Sequence, residues 1–105
     1  LRELGLLLRS KTRRSDYACR YGGDEFLIVM PGSNAGAAMA RADDLLSAFA
    51  GQHGRSDRQG IVCTLSAGVA VYPDHAGDLH ALLAAADLAL YAAKAAGRDR
   101  VVVAT

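Results

Sequence analysis

The sequence predicts an α/β domain of the α+β type, in which helices cover a mixed, largely antiparallel sheet. Two observations support this fold class. The hydrophobic spacing alternates between the helical period and strand-like runs, in the order helix, strand, strand, helix, strand, helix, strand, and no segment is repeated. The 105 residues are 51% hydrophobic and 22% charged, which is typical of a folded domain and excludes a disordered tail. We therefore expect one domain over residues 1–105.

A predicted amphipathic helix opens the chain. Its apolar face consists of leucines at helical spacing, namely Leu1, Leu4, Leu7 and Leu8. No capping side chain and no initiator Met precede Leu1, so we expect further structure upstream of it.

A β-hairpin follows this helix. Tyr17–Tyr21 and Phe26–Met30 are strand-like runs, and the residues GlyGlyAspGlu lie between them. The second run is apolar throughout, which is typical of a strand buried on both faces. Pro31 and Gly32 are turn residues and are expected to end the hairpin.

The second helix occupies the middle of the chain. Ser33 or Asn34 is expected to cap it, and Gly51 is expected to close it. The segment Gln52–Gly60 has no periodicity and predicts a solvated loop. The predicted buried stripe of the helix consists of Ala38, Ala42, Leu45, Leu46 and Phe49.

A long strand is predicted after this loop, and Pro73 is expected to stop it. Alternation places the apolar residues of the strand on one face and the other residues on the opposite face. The apolar face consists of Ile61, Cys63, Leu65, Ala67, Val69 and Val71, and the opposite face of Thr64, Ser66 and Gly68.

The last helix is expected to begin after a capping Asp78. Gly97 is expected to end it as a C-terminal glycine with positive φ, and Val101–Ala104 predicts a short closing strand. The apolar positions of this helix are Leu79, Leu82, Leu83, Ala86, Leu90 and Ala93.

Charge and hydropathy limit the classes of partner. Twelve basic and 11 acidic residues give a net charge of +1, and Trp is absent, so we expect no nucleic-acid partner. The longest apolar stretch, Ala81–Ala93, is far shorter than the roughly 20 residues of a membrane span. With no secretory signal in the sequence, we expect a cytoplasmic location and no membrane contact within this segment.

The cysteines and histidines show no spacing that is typical of metal sites. Cys19 and Cys63 lie far apart in apolar segments and are expected to be reduced core thiols. His53, His75 and His80 are interpreted as surface residues without a role.

The candidate chemistry is concentrated in RYGGDEF, at Arg20–Phe26. Gly22 and Gly23 allow a ligand to approach the backbone closely, and Asp24 and Glu25 bring two carboxylates to the same turn. Carboxylates together with substrate phosphates are ligands that Mg²⁺ prefers, so the motif predicts a metal-nucleotide site. The alternative is a plain glycine hairpin with solvated acids.

Two basic positions are candidates for anion binding. Lys94 and Arg98, at the end of the last helix, are placed to neutralise phosphates, although cations there also complement the helix dipole. Arg13 and Asp16 carry the hydrogen-bonding groups that recognise the two edges of guanine, although they also fit a helix end followed by a turn.

The sequence resembles the GGDEF family of diguanylate cyclases over essentially the whole chain. Three blocks in order carry the resemblance: RYGGDEF at Arg20–Phe26, SAGVA at Ser66–Ala70 and ADLALYAAKAAGR at Ala86–Arg98. It implies a nucleotidyl-cyclase-like fold and the condensation of two GTP molecules into cyclic di-GMP with release of pyrophosphate. It also implies Mg²⁺ or Mn²⁺ as cofactor and a homodimer whose domains meet face to face.

The resemblance implies roles for individual residues. Asp24 would be a metal ligand and a candidate base for the 3′ hydroxyl, and Glu25 a second acidic ligand. Lys94 and Arg98 would bind the phosphates. The acidic hairpin turn and the cationic end of the last helix are therefore expected to converge on one triphosphate, which would approach closely at Gly22 and Gly23.

Arg13 and Asp16 match the RxxD product-binding motif of the family, which implies feedback inhibition by cyclic di-GMP. A further arginine often assists from the helix after the hairpin. Asp43 and Asp44 occupy that stretch here, and Arg41 is the nearby arginine.

The chain departs from the family pattern at its start. Family domains begin with a helix and a central strand that supplies an aspartate metal ligand, and neither precedes Leu1. The chain is similar to the C-terminal two-thirds of such a domain, so we expect the fragment itself to be weak or inactive as an enzyme. A catalytically inactive cyclic di-GMP-binding regulatory module and a dimerising structural domain remain as alternatives.

Overall fold

The computed structural model describes residues 8–9, 16–22, 25–53 and 65–105. The chain forms two compact units, Leu1–Ser33 and Asn34–Thr105. Its elements are β1 (Tyr17–Gly22), β2 (Glu25–Val29), α1 (Ala35–His53), β3 (Ala67–Val69), α2 (Leu79–Ala95) and β4 (Val101–Val103). The described strands form two sheets of two strands each, the antiparallel pair β1–β2 and the parallel pair β3–β4.

The predicted opening helix falls mostly outside the described residues. Leu8 and Arg9 are helical, and Leu8 is buried with 3% exposure, as expected for the apolar face of that helix. Among the described helices, none is both long and apolar enough to cross a membrane.

The predicted hairpin is confirmed, with one change at its turn. Gly22 pairs with Glu25, so Glu25 begins β2 instead of lying in the turn as predicted. The register shifts between Arg20 and Gly22, so the pairing is irregular at Tyr21. A β-bulge, which is one form of such an irregularity, increases the local twist and often lies beside a functional site.

The prediction that the second strand is buried on both faces is wrong. Phe26, Leu27 and Ile28 are half-buried, and Val29 is 44% exposed opposite the exposed Tyr17. An apolar run shows that a strand can be buried. Burial on both faces also requires a packed layer on each side of the sheet, and the sequence of the strand does not show whether those layers exist.

The hairpin ends in a turn with type II features, as Pro31 and Gly32 predicted. The Ser33 amide donates to the Met30 carbonyl at 3.3 Å. Gly32 has φ of 75°, which is the conformation that the third position of a type II turn requires and that favours glycine.

Helix α1 begins after Asn34, one of the two predicted capping residues. The Asn34 Oδ1 accepts from the Ala37 amide at 2.8 Å. The helix does not close at Gly51 as predicted but continues to His53. A glycine inside a helix costs about 1 kcal/mol relative to alanine, which is too little to end a helix that is packed along one face.

The predicted stripe of α1 faces the interior. Ala38, Leu46 and Phe49 are buried, and Ala42 and Leu45 are half-buried. Gln52 and His53, which were predicted to lie in the loop, are helical, and residues 54–60 lie outside the described residues.

Part of the predicted long strand, residues 61–64, lies outside the described residues. Among residues 65–71, Ala67–Val69 is strand, so the strand ends earlier than the predicted stop at Pro73. The backbone of Val71 is bonded within a turn: its amide donates to His75 Nδ1 at 2.8 Å, and its carbonyl accepts from the His75 amide at 2.8 Å. These bonds satisfy the Val71 backbone locally, so the ladder ends before it.

The interpretation of His75 as a surface residue without a role is therefore wrong. The side chain is half-buried and acts as a hydrogen-bond acceptor. His80 is exposed, as expected. The backbone of His53 ends α1 and that of Cys19 lies in β1, opposite Leu27, whereas Cys63 lies outside the described residues.

The last helix and strand follow the prediction. The Asp78 Oδ1 caps α2 by accepting from the Ala81 amide at 2.8 Å, and β4 starts at Val101. Helix α2 connects β3 to its parallel neighbour β4, as parallel strands require a long crossover. The sequence pattern did not indicate which strands would be parallel.

Helix α2 approaches β3 unusually closely at Gly68. A Cβ at this position would meet the backbone of α2, namely the Ala86 carbonyl oxygen and the Leu90 amide nitrogen, and would lie 2.9 Å from the Leu90 Cα. Ala89 and Ala93, with 4% and 0% exposure, are the buried residues of the helix. The face of β3 that carries Gly68 is thus the one that α2 covers.

Gly68→Ala is expected to lower the free energy of unfolding by about 1–3 kcal/mol, because the added methyl group forces α2 away from β3. Urea unfolding of both proteins measures the difference. Gly77→Ala is the matched control, since no atom lies within 4 Å of its added Cβ. Equal losses in the two variants would contradict the close approach.

Candidate functional site

Some of the predicted site residues are described by the structure and others are not. The described ones are Asp16, Gly22, Glu25, Lys94 and Arg98. Arg13, Gly23 and Asp24 lie outside the described residues. Gly22 and Glu25 are described as the paired strand residues on either side of the turn. The predicted convergence of the hairpin turn and the end of α2 on one triphosphate therefore stays a prediction.

The two strands of the hairpin extend further than the sequence predicted. Gly22 ends β1 and pairs with Glu25, which begins β2, although both were expected to lie between the strands. Asp16, which precedes β1, is half-buried.

The C-terminal end of α2 carries the cationic candidates. Lys94 lies in the last turn of the helix and is half-buried, whereas Arg98 lies beyond the helix and is exposed. A cation in the last turn of a helix is stabilised by the helix dipole, so the position of Lys94 has an explanation other than phosphate binding. Arg98 lies beyond the helix, and this explanation does not apply to it.

Gly97 ends the helix, as predicted. It has φ of 117°, and the backbone folds back over the last turn. The Arg98 amide donates to the Ala93 carbonyl at 2.9 Å, and the Gly97 amide to the Lys94 carbonyl at 3.4 Å. These two bonds form a Schellman motif, which satisfies carbonyls at the helix end.

The left-handed backbone continues beyond the glycine. Arg98 has φ of 64° and Asp99 has φ of 50°, although neither is glycine. Each such residue costs on the order of 1 kcal/mol, so the surrounding structure must hold the segment in place. We call residues 97–100 the arginine loop.

Hydrogen bonds from β3 and from within the loop supply this support. The Asp99 amide donates to Ser66 Oγ at 3.1 Å, and the Ala67 amide donates to the Arg100 carbonyl at 3.0 Å. The Arg100 Nε donates to the Arg98 carbonyl at 3.0 Å. Sequence reasoning missed Ser66 and Arg100, and the signal for them is weak: Ser66 lies in the SAGVA block, and Arg100 follows Arg98 by two residues.

The predicted metal ligands are the two carboxylates of the hairpin, Asp24 and Glu25. Within the described ranges, no group of three or more His, Cys, Asp or Glu side chains is placed to hold a metal ion. On α1, Arg41 is half-buried, and the neighbouring Asp43 and Asp44 are exposed.

Comparison with known proteins identifies the family. The family model described as "Diguanylate cyclase, GGDEF domain" matches residues 1–100. The chain belongs to the GGDEF domain family. Diguanylate cyclase A of Treponema denticola is 35% identical over 103 residues, covering 98% of this chain and 28% of the relative. The response regulator PleD of Caulobacter vibrioides is 38% identical over 107 residues, covering 97% of this chain and 23% of the relative. The chain thus spans about a quarter of these relatives.

Solved structures confirm the fold class. The GGDEF domain of TpbB (YfiN) from Pseudomonas aeruginosa has a TM-score of 0.83 at 33% identity, with 98% of this chain and 65% of that chain covered. The active GGEEF domain of a diguanylate cyclase from Vibrio cholerae has a TM-score of 0.85 at 29% identity, with 100% and 66% covered. The α+β, nucleotidyl-cyclase-like fold expected from the sequence is therefore the fold of this GGDEF chain.

Gly97→Ala is expected to lower the free energy of unfolding by about 1–3 kcal/mol, because alanine does not readily adopt φ of 117°. The midpoint of urea unfolding measures this loss. Gly36→Ala in α1, where the nearest atom to the added Cβ is 3.6 Å away, is expected to change stability in the opposite direction. A neutral or stabilising Gly97→Ala would contradict the role of this glycine.

Proposed function

We propose that the protein is a diguanylate cyclase, which condenses two GTP molecules into cyclic di-GMP and releases pyrophosphate. The observation that carries the proposal is that relatives named diguanylate cyclases match 90–98% of this chain at 35–36% identity. The chain also retains RYGGDEF at Arg20–Phe26 and KAAGR at Lys94–Arg98. A cytoplasmic location follows from the same proposal, since GTP is a cytoplasmic nucleotide.

The reaction makes two phosphodiester bonds. In each, the 3′ oxygen of one GTP attacks the α-phosphorus of the other, the P–O bond to pyrophosphate breaks, and the hydroxyl proton passes to Asp24 or Glu25. Two P–O bonds form, two break, and two pyrophosphates leave. Because each GTP is both nucleophile and electrophile, we propose a homodimer with one GTP in each domain, so that binding aligns the reacting atoms.

The charged residues have complementary tasks in this proposal. Lys94 and Arg98 bind the phosphates and stabilise the negative charge that develops on the leaving pyrophosphate. Gly22 and Gly23 let the nucleotide approach the backbone. The carboxylates of Asp24 and Glu25 fit a hard divalent cation, and Mg²⁺ or Mn²⁺ bound there supplies positive charge to the phosphates.

A regulatory site completes the proposal. Arg13 and Asp16 form an RxxD motif, and we propose that it binds cyclic di-GMP and inhibits the enzyme. An arginine fork and a carboxylate together match the hydrogen-bonding edges of guanine. Among the similar structures, that of the coiled coil and GGDEF domain of DgcB from Caulobacter crescentus, with a TM-score of 0.82 at 26% identity, is a complex with cyclic di-GMP.

Asp24→Ala is expected to lower the rate of cyclic di-GMP formation by about 100-fold or more, because a metal ligand and candidate base is removed. The assay incubates the full-length protein with GTP and Mg²⁺ and quantifies cyclic di-GMP and pyrophosphate. Asp74→Ala, which changes an exposed aspartate in the turn after β3, is the control and should retain activity. Wild type without product, or an Asp24→Ala variant with unchanged rate, would contradict the enzymatic proposal.

Arg13→Ala is expected to weaken cyclic di-GMP binding by about tenfold or more, because a bidentate contact to guanine is lost. Calorimetry with cyclic di-GMP measures the affinity, and Arg14→Ala tests whether any neighbouring arginine has the same effect. The variant should still turn over GTP but lose product inhibition. Equal affinity in wild type and Arg13→Ala would exclude this site, whereas binding without turnover in wild type would favour the inactive regulatory module.

A further inference from the structure

The backbone of Arg98 is held on both sides in a conformation that arginine rarely adopts. Its amide donates to the Ala93 carbonyl at 2.9 Å, and its carbonyl accepts from Arg100 Nε at 3.0 Å. The first bond ties it to the last turn of α2, and the second ties it to Arg100, the last residue of the arginine loop. The backbone amide and the backbone carbonyl of Arg98 are thus both hydrogen-bonded.

The next residue is held from a distant part of the sequence. The Asp99 amide donates to Ser66 Oγ at 3.1 Å, across 33 residues. Ser66 immediately precedes β3, and the adjacent Ala67 amide donates to the Arg100 carbonyl at 3.0 Å. The side chain of Ser66 therefore reaches the loop from the residue just before β3, a strand that pairs with β4.

We propose that Ser66 is a positioning residue for the phosphate site: its hydroxyl keeps the arginine loop left-handed and so directs Arg98 toward the nucleotide. This inference rests on the proposed function, in which Arg98 binds the phosphates of GTP. Ser66 itself does not contact the substrate in this proposal. It acts through the peptide that joins Arg98 to Asp99.

The hydroxyl is needed because the left-handed backbone of the loop is unfavourable by itself and has to be held by hydrogen bonds. Arg98 and Asp99, at φ of 64° and 50°, both relax toward negative φ when nothing opposes them. Rotation of Asp99 turns its amide away from Ser66 and reorients the peptide plane whose carbonyl belongs to Arg98. The Cα–Cβ direction of Arg98 changes with it, and the guanidinium is displaced from its site.

Steady-state kinetics of the full-length protein with GTP and Mg²⁺ tests the proposal. Ser66→Ala is expected to raise KM for GTP about threefold to tenfold, the range that loss of one hydrogen bond produces, with kcat changed less than about twofold. Ser66→Thr keeps the hydroxyl and should restore KM. Ser66→Cys keeps the size but accepts hydrogen bonds weakly, so it should behave like Ser66→Ala.

A double-mutant cycle shows whether Ser66 acts through Arg98. The Ser66→Ala change should have no further effect on KM when Arg98 is already alanine, since its target is then gone. Ser47→Ala is the matched control, because it also removes a serine hydroxyl, but from an exposed position on α1. It should leave KM unchanged. Thermal unfolding of each variant verifies that the fold is retained.

The outcomes separate this inference from the proposed function. If Arg98→Ala raises KM but Ser66→Ala does not, the role of Ser66 is overturned and the phosphate site stands. Additive effects in the cycle, or failure of Ser66→Thr to rescue, likewise overturn the positioning role. If Arg98→Ala leaves KM unchanged, the phosphate role of the arginine loop is wrong, and the inference falls with it.

Discussion

The close packing of α2 on β3 at Gly68 is the constraint on which the C-terminal unit depends. The absence of a side chain there lets the backbones of the helix and the strand meet, and Ala89 and Ala93 are the buried residues of that helix. A side chain at Gly68 would separate the two elements. The separation would move the end of the helix relative to Ser66 and Ala67, whose hydrogen bonds reach the arginine loop.

The contact also explains why an apparently uniform alanine-rich helix has one specific orientation. Its burial is concentrated at Ala89 and Ala93, whereas Leu88 and Tyr91 are 71% and 73% exposed. Leu90, one of the larger residues of the predicted apolar stripe, is half-buried, so the stripe and the close approach to β3 favour the same orientation of the helix.

Features with a local cause could be predicted from the sequence. Asn34 and Asp78 cap their helices through their own side chains, and Gly97 ends α2 because few other residues adopt its backbone conformation. The incorrect predictions concern interactions with distant or competing partners. Gly51 does not end α1, since packing along the helix outweighs its propensity, and β3 ends before Val71 because His75 binds the backbone of Val71.

The same distinction applies to the candidate site. The residue types came from motifs and from the family resemblance, which identify Lys94 and Arg98 as cations near one helix end. The left-handed backbone of Arg98 and Asp99 could not be predicted, and the hydrogen bond from the Asp99 amide to Ser66 joins residues that are 33 positions apart in sequence. The roles of Asp24 and Arg13 still depend on the family resemblance.

The left-handed arginine loop has an entropic consequence. Ordering the backbone of one residue costs about 1–2 kcal/mol of conformational free energy, and for Arg98 this cost is met when the chain folds. If an anion binds to Arg98, the further loss of conformational entropy is then confined to the rotations of the arginine side chain. A flexible tail with the same arginine would have to lose backbone freedom in every binding event.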